Sequence, residues 1–348
     1  MLDFTKFNFS TEEIRAVNEL VFDAVLQAPE ITMITTLYPG IVFNKQIGFI
    51  GEGAPVGKAR QKCKPTPQQW KIGTRAVTWE PKPWEILIED CWAELEDTAA
   101  TYALNTGIAR ADFTNTDYFD IVVSVLTVAI KKFIIRLVWF SDVDAEYVSD
   151  GGIISNDSDV ELLTIIDGLW KQLIAQAVAN PDRRVVIAEN AGTTYATQKL
   201  SPNNVISYLE DLRYNAPILL RGQQSAFIAC TQSFYDAYSK ALKGFKLEST
   251  YTNLVNGQAT LTYDSVPLIP LPIMDEMILT FENTGTKLNS PHRALYVIKD
   301  ILGVAVDGEN SFEQMDIWYE RKDRTVNFDA IGMADAKLLH PDMFQLAI

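Results

Sequence analysis

The chain has 348 residues, 47% of them hydrophobic and 22% charged, a composition that excludes an intrinsically disordered, collagen-like or disulfide-scaffold protein. At this length roughly three quarters of the unfolded surface can be buried, so folding needs no metal or disulfide staple. The net charge of −15, from 30 basic and 45 acidic residues, excludes a nucleic-acid binder that works through a broadly basic surface.

Ser10 followed by Glu13 forms a capping box, and Ile14, Val17, Val21 and Val25 recur on one face until Pro29. The pattern predicts an N-terminal amphipathic helix, and residues 1–9 lack the basic-then-apolar order of a secretory signal. From Ile41 to Lys82, glycines and prolines punctuate two strand-like runs, Ile41–Ile50 and Lys71–Trp79. This predicts a long, protruding two-stranded loop that should lie against something else, since an isolated hairpin is marginal in water. Eight basic residues (Lys45, Lys58, Arg60, Lys62, Lys64, Lys71, Arg75, Lys82) against Glu52 and Glu80 give the segment +6, leaving −21 on the rest.

The spacing of Glu85, Glu89, Asp90, Glu94, Glu96 and Asp97 predicts a helix over Glu85–Leu104 with an acidic face. A longer helix is predicted over Asp117–Phe140, where Phe119, Val122, Leu126, Ile130, Phe133 and Leu137 form one apolar stripe about 36 Å long. Lys131, Lys132 and Arg136 in its second half argue against a membrane span. After an acidic loop to Asp159, helical signals return at Val160–Ala179, at Ser201-Pro202 and at Thr231–Lys243, the last closed by Gly244. Thr250–Val255 and Gln258–Tyr263 flank Asn256-Gly257, a hairpin signature. Pro267, Pro270 and Pro272 break the next stretch, and strands are expected at Ala294–Ile298 and Met315–Tyr319. The elements make an α+β protein.

The familiar chemical templates fail. Gly51–Lys58 lacks both the first glycine of a phosphate loop and the Ser/Thr after its lysine. Asp142, Asp144 and Glu146 have the spacing of a calcium loop, but Tyr147 and Ile153 occupy the places of its glycine and closing glutamate. A solvated acidic turn is expected there. Cys63, Cys91 and Cys230 form no CxxC pair and suit a reducing compartment, and His292 and His340 are expected to be structural. Carboxylate pairs (Glu89/Asp90, Glu96/Asp97, Asp275/Glu276) carry no further mark of a site. No catalytic, cofactor-binding or metal residue is therefore assigned, and a non-enzyme is expected.

The order of elements resembles the major capsid proteins of tailed bacteriophages with the Hong Kong 97-type fold. Residues 1–40 are similar to the N-terminal arm, 41–82 to the extended loop (E-loop), 83–215 to the peripheral (P) domain with its spine helix, 216–310 to the axial (A) domain, and 311–348 to the strands that return to the P domain. The motifs that carry the resemblance are Trp139-Phe140-Ser141-Asp142 at the end of the spine, Tyr263–Pro270 followed by Met274-Asp275-Glu276, Arg293-Ala294-Leu295-Tyr296, and Phe328-Asp329-Ala330.

The resemblance implies a structural protein that self-assembles as hexamers and pentamers into an icosahedral shell around phage DNA, without sequence-specific contacts and without a membrane. It implies assembly in the host cytoplasm and residence in the virion, with a portal, possible decoration proteins and a separate scaffolding protein as partners. On that reading Lys58, Arg60, Lys62 and Lys64 contact an adjacent subunit, and Glu89, Asp90, Glu94 and Glu96 are a candidate acidic landing face. An encapsulin-type nanocompartment and a soluble cytosolic hydrolase stay open as alternatives.

Overall fold

The computed structural model describes residues 31, 33–50, 74–91, 128–145, 160–244, 253–255, 258–306, 315–320 and 325–348. The expected arm helix, the loop tip at 51–73, the acidic stretch at 92–104, the start of the long helix at 117–127 and most of the acidic loop lie outside them.

A five-stranded sheet is organised on the 14-residue strand β14 (Thr325–Leu338). Its Phe328, Ala330, Ala334, Ala336 and Leu338 are all buried, the alternation of a strand with one face in the core. Strand β4 (Lys82–Cys91) pairs with residues 325–334 along one edge. Strands β12 (Leu302–Val306) and β13 (Met315–Glu320) lie end to end along the other edge, and β1 (Thr36–Tyr38) adds to β12 in parallel. Trp84 lies over Gly332, its register partner, where a Cβ would come within 2.4 Å of the indole. Glycine is the residue that admits the tryptophan.

The strand β4 replaces the first part of the expected acidic helix. Trp84, Ile86 and Ile88 turn inward while Glu85, Leu87 and Glu89 are exposed, a period of two. The acids alone mimic helical spacing, but the isoleucines between them are strand residues whose buried face is supplied by β14.

The second sheet has six strands in the order β5 (Arg184–Val185), β15 (Gln345–Ala347), β11 (Ala294–Val297), β6 (Phe227–Cys230), β10 (Val266–Pro270) and β9 (Thr262–Tyr263). Its central strands are buried on both faces, which explains their unbroken apolar runs. Ile228, Cys230, Ala294, Tyr296 and Ala347 pack with helices α3 (Pro202–Tyr214) and α5 (Gln232–Gly244). Phe227, Ala229, Leu295, Val297 and Leu346 pack on the other face. There they meet α1 (128–135, running into a π turn at Arg136–Phe140), α2 (Leu169–Ala179) and α6 (Pro272–Phe281). A short helix, α4 (Ile218–Arg221), follows α3.

Several local expectations hold. Pro202 opens α3 at its first position, although the Ser201 hydroxyl makes no cap hydrogen bond. In the small sheet of β7 (Asn253–Val255) and β8 (Gln258–Thr260), Val255 pairs with Gln258, which leaves the two-residue connection expected of Asn256-Gly257. Two expectations are corrected. The helix at Val160–Ala179 is interrupted: the Leu163 carbonyl accepts from Asp142 N–H and Gly168 N–H donates to the Ser141 carbonyl, so the backbone between them bonds to residues 141–142 instead of continuing the helix, and Gly168 passes so close that a Cβ would lie 2.8–2.9 Å from the Ser141 and Trp139 backbone. Pro267 and Pro270 sit inside β10 rather than breaking it. Leu271 N–H bonds to Cys230 of β6 while Leu268 N–H points the other way, so alternation turns the Pro270 nitrogen away from the β6 ladder.

The third sheet is the hairpin of β2 (Lys45–Ile50) and β3 (Thr74–Trp79), the two sides of the expected loop. Its root is a small core of Trp79, Ile41, Ala305 and Leu339.

Candidate functional site

Among the described residues, three polar clusters and one exposed strand face are places where chemistry or recognition could reside. The first cluster surrounds His292, which is buried between the loop 188–198 and the N-terminus of α5. Its Nε2–H donates to the Gln198 carbonyl at 2.6 Å, because a carbonyl only accepts. That leaves Nδ1 to accept from the Ser233 hydroxyl at 2.8 Å. Asn190 and the His292 backbone exchange two hydrogen bonds, at 2.8 and 3.0 Å. Burial holds the imidazole below its usual titration range against the pull of Gln198, Glu189 and Asp275.

A serine beside a neutral histidine has the components of a nucleophilic dyad. Here the amides of Gln232 and Ser233, where an oxyanion would be held, are occupied by the Asp275 carboxylate at 2.6 and 3.3 Å. Asp275 thus caps α5 from α6, and burial raises its pKa despite these bonds. Its sequence neighbour Glu276 instead pairs with Lys132 of α1. The expected carboxylate pair is two separate struts. Cys230 is buried beside this cluster, with its thiol pKa driven up by desolvation.

The second cluster is built on Arg293, which is almost fully buried. Its guanidinium pairs with Glu282, donates to the Ser290 and Asn289 carbonyls, and lies over the rings of Trp170 and Phe140 at 5.3 and 5.7 Å. It joins the end of α6, the start of β11, α2 and the π turn of α1. Burial pushes the Glu282 carboxyl up, and the arginine counteracts this.

The third cluster concerns the acidic loop. Lys171 Nζ lies 2.6, 2.7 and 2.6 Å from Asp142, Asp144 and Asp167. Burial alone would lower its pKa, but hydrogen bonds to the three carboxylates raise it. An ammonium of the chain itself fills the centre where a cation would sit. Among the described residues no group of acids, histidines and cysteines is arranged to hold a metal ion. The void between α1 and the five-stranded sheet has a volume of about 20 Å³ and is walled by Leu37, Trp84, Ile134 and Val304, so it lacks the polar partners a water needs.

The exposed face belongs to β4. Glu85, Leu87 and Glu89 point outward, and Leu87 is 65% exposed. Their partners on β14 are Ile331, Asp329 and Asn327. Of the expected landing face, Glu89 and Asp90 are consecutive residues of this strand, so they do not share a helix face; Glu94 and Glu96 lie outside the described residues. The basic quartet Lys58, Arg60, Lys62 and Lys64 also lies outside them. The root of its loop is described: Glu80 N–H donates to the buried Asp335 carboxylate at 2.7 Å, and Trp79 packs at a tilt against Tyr38, 5.4 Å between ring centres. Sequence reasoning missed Asp335 and saw Arg293 only as the first residue of a motif; an acid inside the apolar run of β14 and an arginine just before that of β11 were the only signals available.

No protein-family model matches the chain, and no curated protein matches its sequence. Solved structures do. A chain of the satellite phage P4 procapsid, in a structure that includes the size determination (Sid) protein, superposes with a TM-score of 0.52 at 10% identity, over 94% of this chain and 98% of that one. A chain from Gordonia phage Cozz gives 0.51 at 12% identity, over 92% and 86%. The chain has the mixed helix-and-strand fold of these phage structures.

Proposed function

We propose that the chain is a major capsid protein whose copies assemble, as hexamers and pentamers, into an icosahedral shell around phage double-stranded DNA. The observation that supports this most is the fold shared with a phage procapsid chain over nearly the whole length of both. The acidic balance agrees with it, because a shell that clung to DNA would obstruct packaging and release. Function on this reading is interface geometry rather than catalysis, with no cofactor. The site is the virion capsid, built in the host cytoplasm with a separate scaffolding protein, a portal and decoration proteins as partners.

Residues 1–40 then serve as arm, 41–82 as E-loop, 83–215 as P domain, 216–310 as A domain and 311–348 as returning strands. The six-stranded sheet would form the body of the A domain, drawing in β5 and β15 from the flanking segments; the five-stranded sheet and α1 would form the P domain, drawing in β1 from the arm and β12 from the end of the A-domain segment. Lys58, Arg60, Lys62 and Lys64 contact an adjacent subunit through acidic positions that include Glu89, Asp90, Glu94 and Glu96. The test is expression of the full chain, alone and with its scaffolding protein, followed by sedimentation and negative-stain microscopy. Closed shells of uniform diameter are expected. Monomers or irregular aggregates under both conditions overturn the reading.

A further inference from the structure

Helix α3 crosses one face of the six-stranded sheet, and its two ends belong to opposite edges. At its start, Asn204 and Tyr208 hold Glu189, and Ala188 N–H donates to the Tyr208 hydroxyl at 3.1 Å, just past edge strand β5. At its end, Arg213 pairs at 3.2 Å with Asp264 in the turn between β9 and β10. Burial first, then Glu210, Tyr214 and Asp264, raise the pKa of the Tyr263 phenol, so those groups stand beside edge strand β9. Five strand spacings put the two edges about 24 Å apart, facing opposite ways.

Both edges expose apolar side chains, and their charges are opposite. At the β9 side, Tyr214, Ile218 and Leu219 are exposed, Ile218 by 79%, and Glu210 and Asp211 stand exposed beside them. Arg221 follows, but it is half-buried with its Nε inside the protein. Single exposed apolar side chains are ordinary; three within residues 214–219 form a patch. At the β5 side, Val178 closes α2 and Val186 follows the strand, each 61% exposed. Between them in the chain lie Arg183 and the exposed Arg184, with Asp182 the acid beside them. Among the described residues, Arg183, Arg184, Glu210 and Asp211 form no ion pair within the chain.

We propose that the β9 edge of one copy seats on the β5 edge of a second copy: Tyr214, Ile218 and Leu219 cover Val178 and Val186, while Glu210 and Asp211 meet Arg183 and Arg184. The inference rests on the self-assembling shell proposed above and names a surface that joins its copies. Charge selects the arrangement. Either edge placed on its own kind would set like charges against each other, whereas unlike edges pair their charges around an apolar centre. A joint between two different surfaces is head-to-tail, and repeating it closes a ring or extends a filament. Tyrosine and arginine are also the side chains enriched where proteins meet. The Arg213–Asp264 pair and the bond from Arg213 to the Tyr296 hydroxyl at 3.0 Å fix the end of α3, so the β9 patch is held ready.

The test uses the full chain under the conditions that give particles. Arg183→Glu with Arg184→Glu should cut particle yield about tenfold, and Glu210→Arg with Asp211→Arg should do the same. All four changes together exchange the two charges and should restore most of the yield. Urea midpoints equal to the parent's assign each loss to assembly rather than folding. A second arm needs no charge reversal: the photoreactive p-benzoylphenylalanine replaces Ile218, an exposed position that accepts an apolar ring. Irradiated particles should contain a covalent dimer whose linked peptide lies within residues 178–186. Links that map elsewhere or to another protein, or folded reversal variants that assemble at the parent yield, overturn the joint and leave the shell reading standing. A parent chain that forms no particles at all overturns both.

Discussion

Arg293 illustrates how one residue ties the molecule together. It is a charge taken almost wholly out of water, and its favourable terms are the Glu282 pair, two carbonyls and two aromatic faces. Removing one member strands the other, so Arg293→Met should cost about 3–5 kcal/mol, read as a lowered urea midpoint; a loss below ~1 kcal/mol would show that Glu282 finds water instead. His292 carries a pH prediction. Its pKa is lower in the folded chain than the ordinary 6.5, so the unfolded chain binds more protons between those values, and stability falls as pH drops below about 6.5. Asp275, Glu282 and Asp335 are raised by burial, so their contributions run the opposite way and increase toward acid. The variant His292→Gln, which can still accept from Ser233 and donate to Gln198, should therefore have a flatter urea midpoint between pH 6.5 and 5 than the parent. Parallel curves would assign the slope to another group. The sequence showed a histidine after a proline; that it is buried depended on the loop 188–198 and the start of α5 closing around it.

At the scale of elements, the hairpin β2–β3 depends on its root. Trp79 is completely buried against Gly303, where a Cβ would sit 2.8 Å from the indole and 3.1–3.2 Å from Leu339. Gly303→Ala should cost about 1–3 kcal/mol by overpacking, and Trp79→Ala about 3–5 kcal/mol by opening a cavity. The second change should also speed hydrogen exchange across residues 45–50 and 74–79 more than in β11, since the hairpin has no other described anchor of that size. Uniform loss of protection would mean that the root belongs to the main core. Legibility of elements followed the source of their information. Pro202 opening α3, the two-residue turn between β7 and β8 and the apolar runs of β6 and β11 are written within a few residues. The acidic spacing at 85–97 was read as helical because the competing alternation of Trp84, Ile86 and Ile88 becomes decisive only when β14 supplies the buried side.

For the whole molecule, the charge is divided between a loop of +6 and a remainder of −21. Exposed ion pairs contribute only ~0.2–1 kcal/mol each, so in the shell proposed above a loop contact would gain by repetition around every ring. Particle yield should fall as salt rises, because the Debye length shortens from ~10 Å at 0.1 M to ~3 Å at 1 M. Changing Lys58, Arg60, Lys62 and Lys64 to glutamate should abolish both assembly and its salt response; normal shells in sedimentation would remove loop charge from the account.

The sequence by itself determined the mixed composition of elements, the apolar helix stripe where it runs through residues 128–140, the two strand runs that flank the basic loop and the resemblance to phage capsid proteins, because each depends on residue order over short spans. Tertiary structure alone decided which groups are spoken for. Lys171 gathers three aspartates, Asp275 leaves its neighbour Glu276 to cap another helix, and Glu85, Leu87 and Glu89 remain outward on an edge strand. Periodicity states which residues share a face, but whether that face meets core, cation or solvent is fixed by partners distant in the chain, and those partners exist only once it has folded.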